Sequence, residues 1–401
     1  MKKTTLLVIT FLSALIASHA CLPGEEIPDS PSGGVVDEGE GGGDTGEGEA
    51  EKISSTIFTP GESGYAFFRI PAAVISSEGT ILVFAEGRVD NAEDYGNIDI
   101  VLKRSTDNGR TWSDLIVVKD DAGNTCGNPA PVALESGKII LVYNLAIPDQ
   151  LNTVDDVTYV TESTDDGLTW SMSRSISGQI KDTGESNFHP GPVHGIVKQY
   201  NPHKGRIIIP VWGSSPRAFI IYSDDGGTTW QKGAKMDYEY ANESTVAELL
   251  DGRLIFNTRD GNKSEGAYFR YDAISEDGGE TFLPSRKTSL VEPVNGCQGS
   301  MITYGKDEST GETILLFSNP NHTSSRRHGT VKASFDGGDS WTRMYQYVPS
   351  EGNDMYVSYS DMVIVGENTI GVIYEAGRKN NNGIVFQTVF FSDIKDSISY
   401  Q

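Results

Sequence analysis

One eight-residue pattern recurs along this chain and restricts its fold more than any other feature. It begins as Ser105-x-Asp107-x-Gly109-x-Thr111-Trp112 and returns from Ser163, Ser223, Ser275 and Ser334. The copy at Ser275 ends in Phe282; the copy at Ser334 carries Ser340 in place of Thr and ends in Trp341. Such a pattern suits a hairpin turn. Ser and Asp side chains accept hydrogen bonds from the N–H groups of their own loop, and Gly takes the left-handed position. The closing aromatic is expected to pack between neighbouring sheets. These residues read as turn locks with no part in catalysis.

A second signal runs in step with the first. An apolar strand precedes each lock, as in Gly79-Thr80-Ile81-Leu82-Val83-Phe84 and Gly137-Lys138-Ile139-Ile140-Leu141-Val142; the others begin at Gly205, Gly252 and Gly311. A sixth, Ile370-Gly371-Val372-Ile373-Tyr374, precedes Phe390-Phe391-Ser392 without a complete lock. No long stretch carries a helical period. Six copies of a unit of about four strands predict an all-β, six-bladed β-propeller over residues 53–401. The strand near Ala72–Ile75 is expected to join the last blade and close the ring, which removes exposed sheet edges.

Composition narrows the function. The 45 glycines suit many tight turns, and the net charge of -24 argues against nucleic acid as a partner. An anionic substrate would need a local cluster of arginines to overcome that charge. The six histidines show no metal-ligand spacing, and no G-x-S-x-G, P-loop or paired-Cys zinc pattern occurs. No cofactor is expected. Cys126 and Cys297 could pair only if their Cα atoms approach within about 7 Å; the simpler reading is two buried free thiols.

The N-terminus reads as a targeting signal. Lys2 and Lys3 precede an apolar run from Leu6 to Ala17, and Ser18-His19-Ala20 ends in small residues before Cys21. The run is too short for an ordinary membrane-spanning helix, so residues 1–20 are expected to be a signal peptide. Either Cys21 becomes a lipid-modified N-terminus, or Ala20 ends a plain cleavage site and Cys21 is incidental. Residues 21–52, rich in Gly, Pro, Asp and Glu, read as a disordered acidic linker. A tether beside a candidate anchor favours the lipoprotein reading. The chain is then expected in the periplasm or as an outer-membrane lipoprotein at the cell surface, with secretion as the alternative. A closed propeller needs no partner for stability, so a monomer is expected.

Inner strands of a propeller point their ends at a central depression, the default ligand site. Arginines fall there in several units: Arg69, Arg88, Arg259, Arg326 and Arg327. Phe68-Arg69-Ile70-Pro71 followed by five such locks, known as Asp boxes, resembles the sialidases or neuraminidases over residues 56–395. The resemblance implies an exo-acting glycoside hydrolase that removes terminal sialic acids from glycoproteins, glycolipids and oligosaccharides with retention of configuration. It also implies that Arg69, Arg259 and Arg326 clamp the sugar carboxylate, with Arg327 as the alternative register for the third. Planar, permanently charged guanidiniums suit that task. Tyr359 resembles the nucleophile, Glu243 the glutamate that takes its proton, and Asp94 the acid/base, with Asp90 and Asp99 as rivals. A phenol suits this sugar because its anomeric carbon bears a carboxylate that repels an anionic nucleophile. Glu375 resembles the glutamate that orients the first arginine, while Arg88 and Asn128 are expected to touch sugar hydroxyls. His189 and His194 are rim candidates, read more simply as loop histidines with local bonds. Two alternatives stay open: an intramolecular trans-sialidase releasing an anhydro sugar, and a propeller that binds glycans without cleaving them.

Overall fold

The computed structural model describes residues 51–146, 157–185, 188–213, 217–262, 266, 268–294, 296–348, 356–378, 381–397 and 399. The signal peptide, Cys21 and the linker up to Ala50 lie outside the described residues. From Glu51 the chain is built of antiparallel strands, with α-helices of only four and five residues at Ser177–Ile180 and Phe391–Lys395 among the described residues. The fold is an all-β propeller.

The expected six separate blades are corrected by the hydrogen bonding. Among the described residues, four sheets have blade size, three of four strands and one of five, and one eight-stranded sheet carries the first two repeat units. The merger comes from one parallel bridge, Ile98 to Thr125. Thr125 Oγ1 strengthens it by accepting from Gly96 N and donating to Gly96 O, each at 2.9 Å. A sequence period counts supersecondary units; it carries no information about pairing between them. Ring closure differs as well. Ala72–Ile75 lies in the strand Phe67–Ile75, which pairs with Ile81–Arg88. The strand that joins the last sheet is Ser54–Phe58, antiparallel to Asn381–Phe390.

The apolar runs fill the second strand of each unit. Ile81–Ala85, Ile139–Tyr143 and Leu254–Phe256 are fully buried, because a neighbouring sheet covers each face. Burial on both faces explains why these strands read as unbroken apolar runs rather than alternating ones. Each such side chain contributes about 1.5–3 kcal/mol on leaving water.

The locks form as the spacing requires. Ser105 Oγ accepts from Gly109 N at 2.8 Å, and Asp107 Oδ1 accepts from Thr111 N at 2.9 Å. Gly109 has φ 86°. It is constrained twice, because a Cβ there would lie 2.2 Å from the Phe386 ring of the last sheet. Trp112 packs edge-on to the same ring, at 5.6 Å. The lock therefore joins neighbouring sheets through its glycine as well as its aromatic.

Candidate active site

The strands Phe67–Ile75, Thr125–Ala133, Ala241–Glu248 and Val357–Gly366 are the inner strands of their repeat units. Each breaks register where it approaches one end of the axis. The interruptions fall between Arg69 and Ala72, Gly127 and Ala130, Ala241 and Ser244, and Val357 and Ser360. A bulge inserts residues without partners and re-aims their side chains. The residues inserted are Ile70, Asn128, Asn242, Glu243 and Tyr359, among others, and all five line one cavity of about 400 Å³. Ile70 and Asn128 take φ of 58° and 52°, a strained conformation for residues with a Cβ.

Eight of the nine residues expected at the site line this cavity: Arg69, Arg88, Asp94, Asn128, Glu243, Arg259, Arg326 and Tyr359. The ninth, Glu375, is fully buried beneath them. It accepts from Ile70 N at 2.8 Å and from Arg69 Nη2 at 3.3 Å. Tyr359 Oη donates to Glu243, and Arg259 Nη1 donates both to Glu243 and to Tyr359 Oη, the latter at 3.1 Å. The guanidiniums of Arg69 and Arg326 lie 5.5 and 5.2 Å from the Tyr359 ring centre. Three arginines thus converge on one phenol.

The charges are unevenly matched. Arg69 meets Glu375 and Asp94, Arg259 meets Glu243, and Arg88 meets Glu86 and Asp94. Arg326 instead donates to Ser358 Oγ at 2.8 Å and to Gly296 O at 3.4 Å. Among the described residues it is the one arginine of the three without a carboxylate in ion-pair range. Arg327 is exposed and does not line the cavity, so the structure separates the two neighbours.

Protonation follows from the surroundings. Burial pushes the Tyr359 phenol well up, Glu243 adds to this, and Arg259 and Arg326 oppose it, so the free site holds a neutral phenol. Partial burial pushes Asp94 up, but Arg88 and Arg69 outweigh it and hold the carboxyl below its usual range. Asp99 accepts from the Tyr65 hydroxyl at 2.7 Å and does not line the cavity; neither does Asp90.

The comparisons with known proteins bear on this arrangement. The family model for the BNR repeat-like domain matches residues 79–372. A sialidase of Clostridium perfringens is 30% identical over 349 residues, covering 80% of this chain and 88% of that protein. The chain belongs to the sialidase family. A sialidase of Bacteroides fragilis strain YCH46 is 31% identical, covering 83% of this chain, which spans 64% of that protein's length. Among solved structures, the Hadza microbial sialidase Hz136 superposes with a TM-score of 0.74 at 28% identity, over 85% of this chain and 69% of that one.

Several cavity residues of this sialidase-family chain escaped the sequence reading. Glu86 is buried and accepts from Asn128 N at 2.9 Å while pairing with Arg88. Its place two residues before Arg88, on the same face of one strand, was a usable signal. Asn144 and Trp212 also line the cavity, from the C-terminal ends of Ile139–Ala146 and Ile207–Gly213. Glu86, Asn144, Trp212 and Arg259 each stand five residues after the strand residue that pairs with the lock serine of their unit, so the repeat itself pointed there. Arg88 spends donors on Glu86, the Ala92 and Glu93 carbonyls and Asp94, and so holds the Asp94 loop. Asn128 Nδ2 donates to Asn144 at 3.0 Å. His189 lines the cavity, stacked on Trp212 at 4.5 Å, and burial pushes its imidazole down to about 4. His194 is not brought to the site. It pairs with Asp361 at 2.7 Å and lines a separate, mostly apolar cavity of about 530 Å³ with Met301 and Met362. Cys126 and Cys297 are free and buried.

Proposed function

We propose that this chain is an exo-α-sialidase that removes terminal sialic acids from glycoconjugates with retention, through a tyrosyl intermediate. One observation supports this reading above the rest: three guanidiniums converge on a buried phenol that donates to a carboxylate. The clamp serves the sugar carboxylate, and Arg326, without an ion-pair partner among the described residues, is the charge that carboxylate neutralises.

The chemistry then runs as two displacements. Tyr359 Oη bonds to the anomeric carbon as its proton passes to Glu243, and the glycosidic bond breaks as the leaving oxygen takes a proton from Asp94. Water then adds to the anomeric carbon and gives its proton to Asp94. Tyr359 leaves and recovers its proton from Glu243. In the empty site Asp94 is held deprotonated by Arg69 and Arg88. A substrate carboxylate competes for Arg69 and adds negative charge nearby; both changes raise the affinity of Asp94 for the proton it must deliver.

The test is incubation with a fluorogenic sialoside, with and without 2-deoxy-2,3-didehydro sialic acid. Release of fluorophore that the inhibitor suppresses is expected, with free sialic acid as product by mass. A product lighter by one water would replace hydrolysis with intramolecular transfer. Binding without turnover would leave a glycan-recognition module. Export, with Cys21 as a lipid anchor, is a further part of the proposal and rests on the N-terminal sequence alone.

A further inference from the structure

We infer that Gly296 is a positioning residue that braces two of the three clamp arginines at once, and that a side chain there disables the clamp. The inference rests on the proposed role of Arg259 and Arg326 in binding a sugar carboxylate.

Gly296 lies between the two arginines. Its carbonyl accepts from Arg326 Nη2 at 3.4 Å. On its other side the backbone lies flat against Arg259. A Cβ added at Gly296 would fall 2.2 Å from Arg259 Nε, 2.7 Å from Cγ and 2.9 Å from Cδ. Contacts of that length force a displacement, and the crowding involves the stem as well as the head of the arginine. The chain also holds φ 69° here, which glycine adopts without strain.

The segment carrying Gly296 is tied down on both sides. Glu292 is fully buried; its carboxylate accepts from Asp260 N, next to Arg259, at 2.7 Å. The same carboxylate pairs with Arg270 at 2.7 Å. Arg270, fully buried too, donates to Cys297 O at 2.7 Å. Val294 N donates to Thr323 O at 2.8 Å, tying the segment to the loop that bears Arg326. One buried ion pair therefore fixes the strand end of Arg259 and the residue after Gly296 in a single frame. A displaced Gly296 pulls against these bonds. Either Arg259 leaves its place against Glu243 and Tyr359, or the segment shifts and Arg326 loses the Gly296 carbonyl.

The consequence is specific to ligand binding. A misplacement of about 1 Å in such a constellation costs on the order of a hundredfold. Strain and clash can be separated, because Gly79 shares the left-handed conformation with φ 83° but has open space where its Cβ would go. The experiment compares Gly296→Ala with Gly79→Ala in the full-length protein. The readouts are melting temperature, the dissociation constant for 2-deoxy-2,3-didehydro sialic acid, and KM and kcat on a fluorogenic sialoside. Gly296→Ala should weaken inhibitor binding by about tenfold to a hundredfold, while Gly79→Ala, which carries the strain without the clash, leaves it unchanged, and both variants should still melt cooperatively above the assay temperature. A double-mutant cycle then asks whether Gly296 acts through its neighbour: in an Arg259→Ala background the effect of Gly296→Ala should largely disappear. Inhibitor affinity equal to wild type in Gly296→Ala, or full additivity in the cycle, overturns the brace while leaving the sialidase reading intact. A wild type that neither binds the inhibitor nor cleaves the sialoside overturns the reading and the brace together.

Discussion

The turn locks and the cavity use the same groups to opposite ends. In a lock, the Ser and Asp side chains that define it find their partners within four residues: Thr169 N and Oγ1 both donate to Asp165, and Gly167 N donates to Ser163. In the cavity, Tyr359 reaches Glu243 across 116 positions of chain, and Arg69 reaches Glu375 across 306. Hydrogen bonds from Thr169 and Thr229 hold the Asp165 and Asp225 carboxyls down at about 2. Burial moves Tyr359 the other way, and no lock contains a cation in excess of its carboxylates. The serine and aspartate of a lock are satisfied by their own loop and have nothing left to offer a ligand. The cavity is satisfied only in part, and its remaining capacity, centred on Arg326, is what a ligand can use.

The contrast can be broken or sharpened by substitution. The largest effect is expected at Tyr359→Phe, which keeps the ring between Arg69 and Arg326 but removes the atom that bonds to the sugar. Turnover should fall on the order of a thousandfold or more, with melting temperature little changed. Near-normal turnover of the fluorogenic sialoside would remove Tyr359 from the role of nucleophile. Arg326→Ala comes next. It removes the clamp arginine that no carboxylate accompanies among the described residues, so KM should rise by about tenfold to a hundredfold. Little stability should be lost, because no buried carboxylate is left behind. An unaltered KM would move the third clamp position to Arg327.

The smallest effect belongs to the locks. Asp165→Ala removes bonds to Thr169 and Ser163, destabilising by about 1–2 kcal/mol while leaving KM where it was. The locks also set an acid limit. The Asp165 and Asp225 carboxyls titrate near 2 when folded, below an unfolded value of about 3.9. A depressed carboxylate contributes stability that is complete above the unfolded value and is lost as pH falls through the folded one. Acid unfolding should therefore steepen between about pH 4 and pH 2, and Asp165→Asn should shallow that limb. A change in KM for either lock variant would mean that locks and cavity are coupled after all.

Much of the site was legible because its residues sit in short, distinctive settings. Arg69 lies in Phe-Arg-Ile-Pro, Asp94 in Asp-Tyr-Gly-Asn, and Tyr359 in Ser-Tyr-Ser-Asp, and all three line one cavity. Glu86, Asn144 and Trp212 were missed because no short motif surrounds them and, though they share the repeat position of Arg259, they differ from it in residue type. Their significance comes from lying near the C-terminal ends of strands that reach the same cavity. The strand that closes the ring was misplaced for a related reason: Ser54–Phe58 and Phe67–Ile75 both carry apolar residues, and pairing to Asn381–Phe390 is decided by where the chain ends meet.

The amino-acid order alone determined the propeller and its turns, since the Ser and Asp side chains of each lock close their turn with bonds inside the eight-residue pattern. Only the tertiary structure decided the sheet count, where a single bridge from Ile98 to Thr125 joins two units into one sheet. It likewise decided the bulges that turn Asn128, Glu243 and Tyr359 inward, and the pressing of Gly296 against Arg259. These are contacts between segments far apart in sequence, and their energies exist only once the sheets have packed around a common axis.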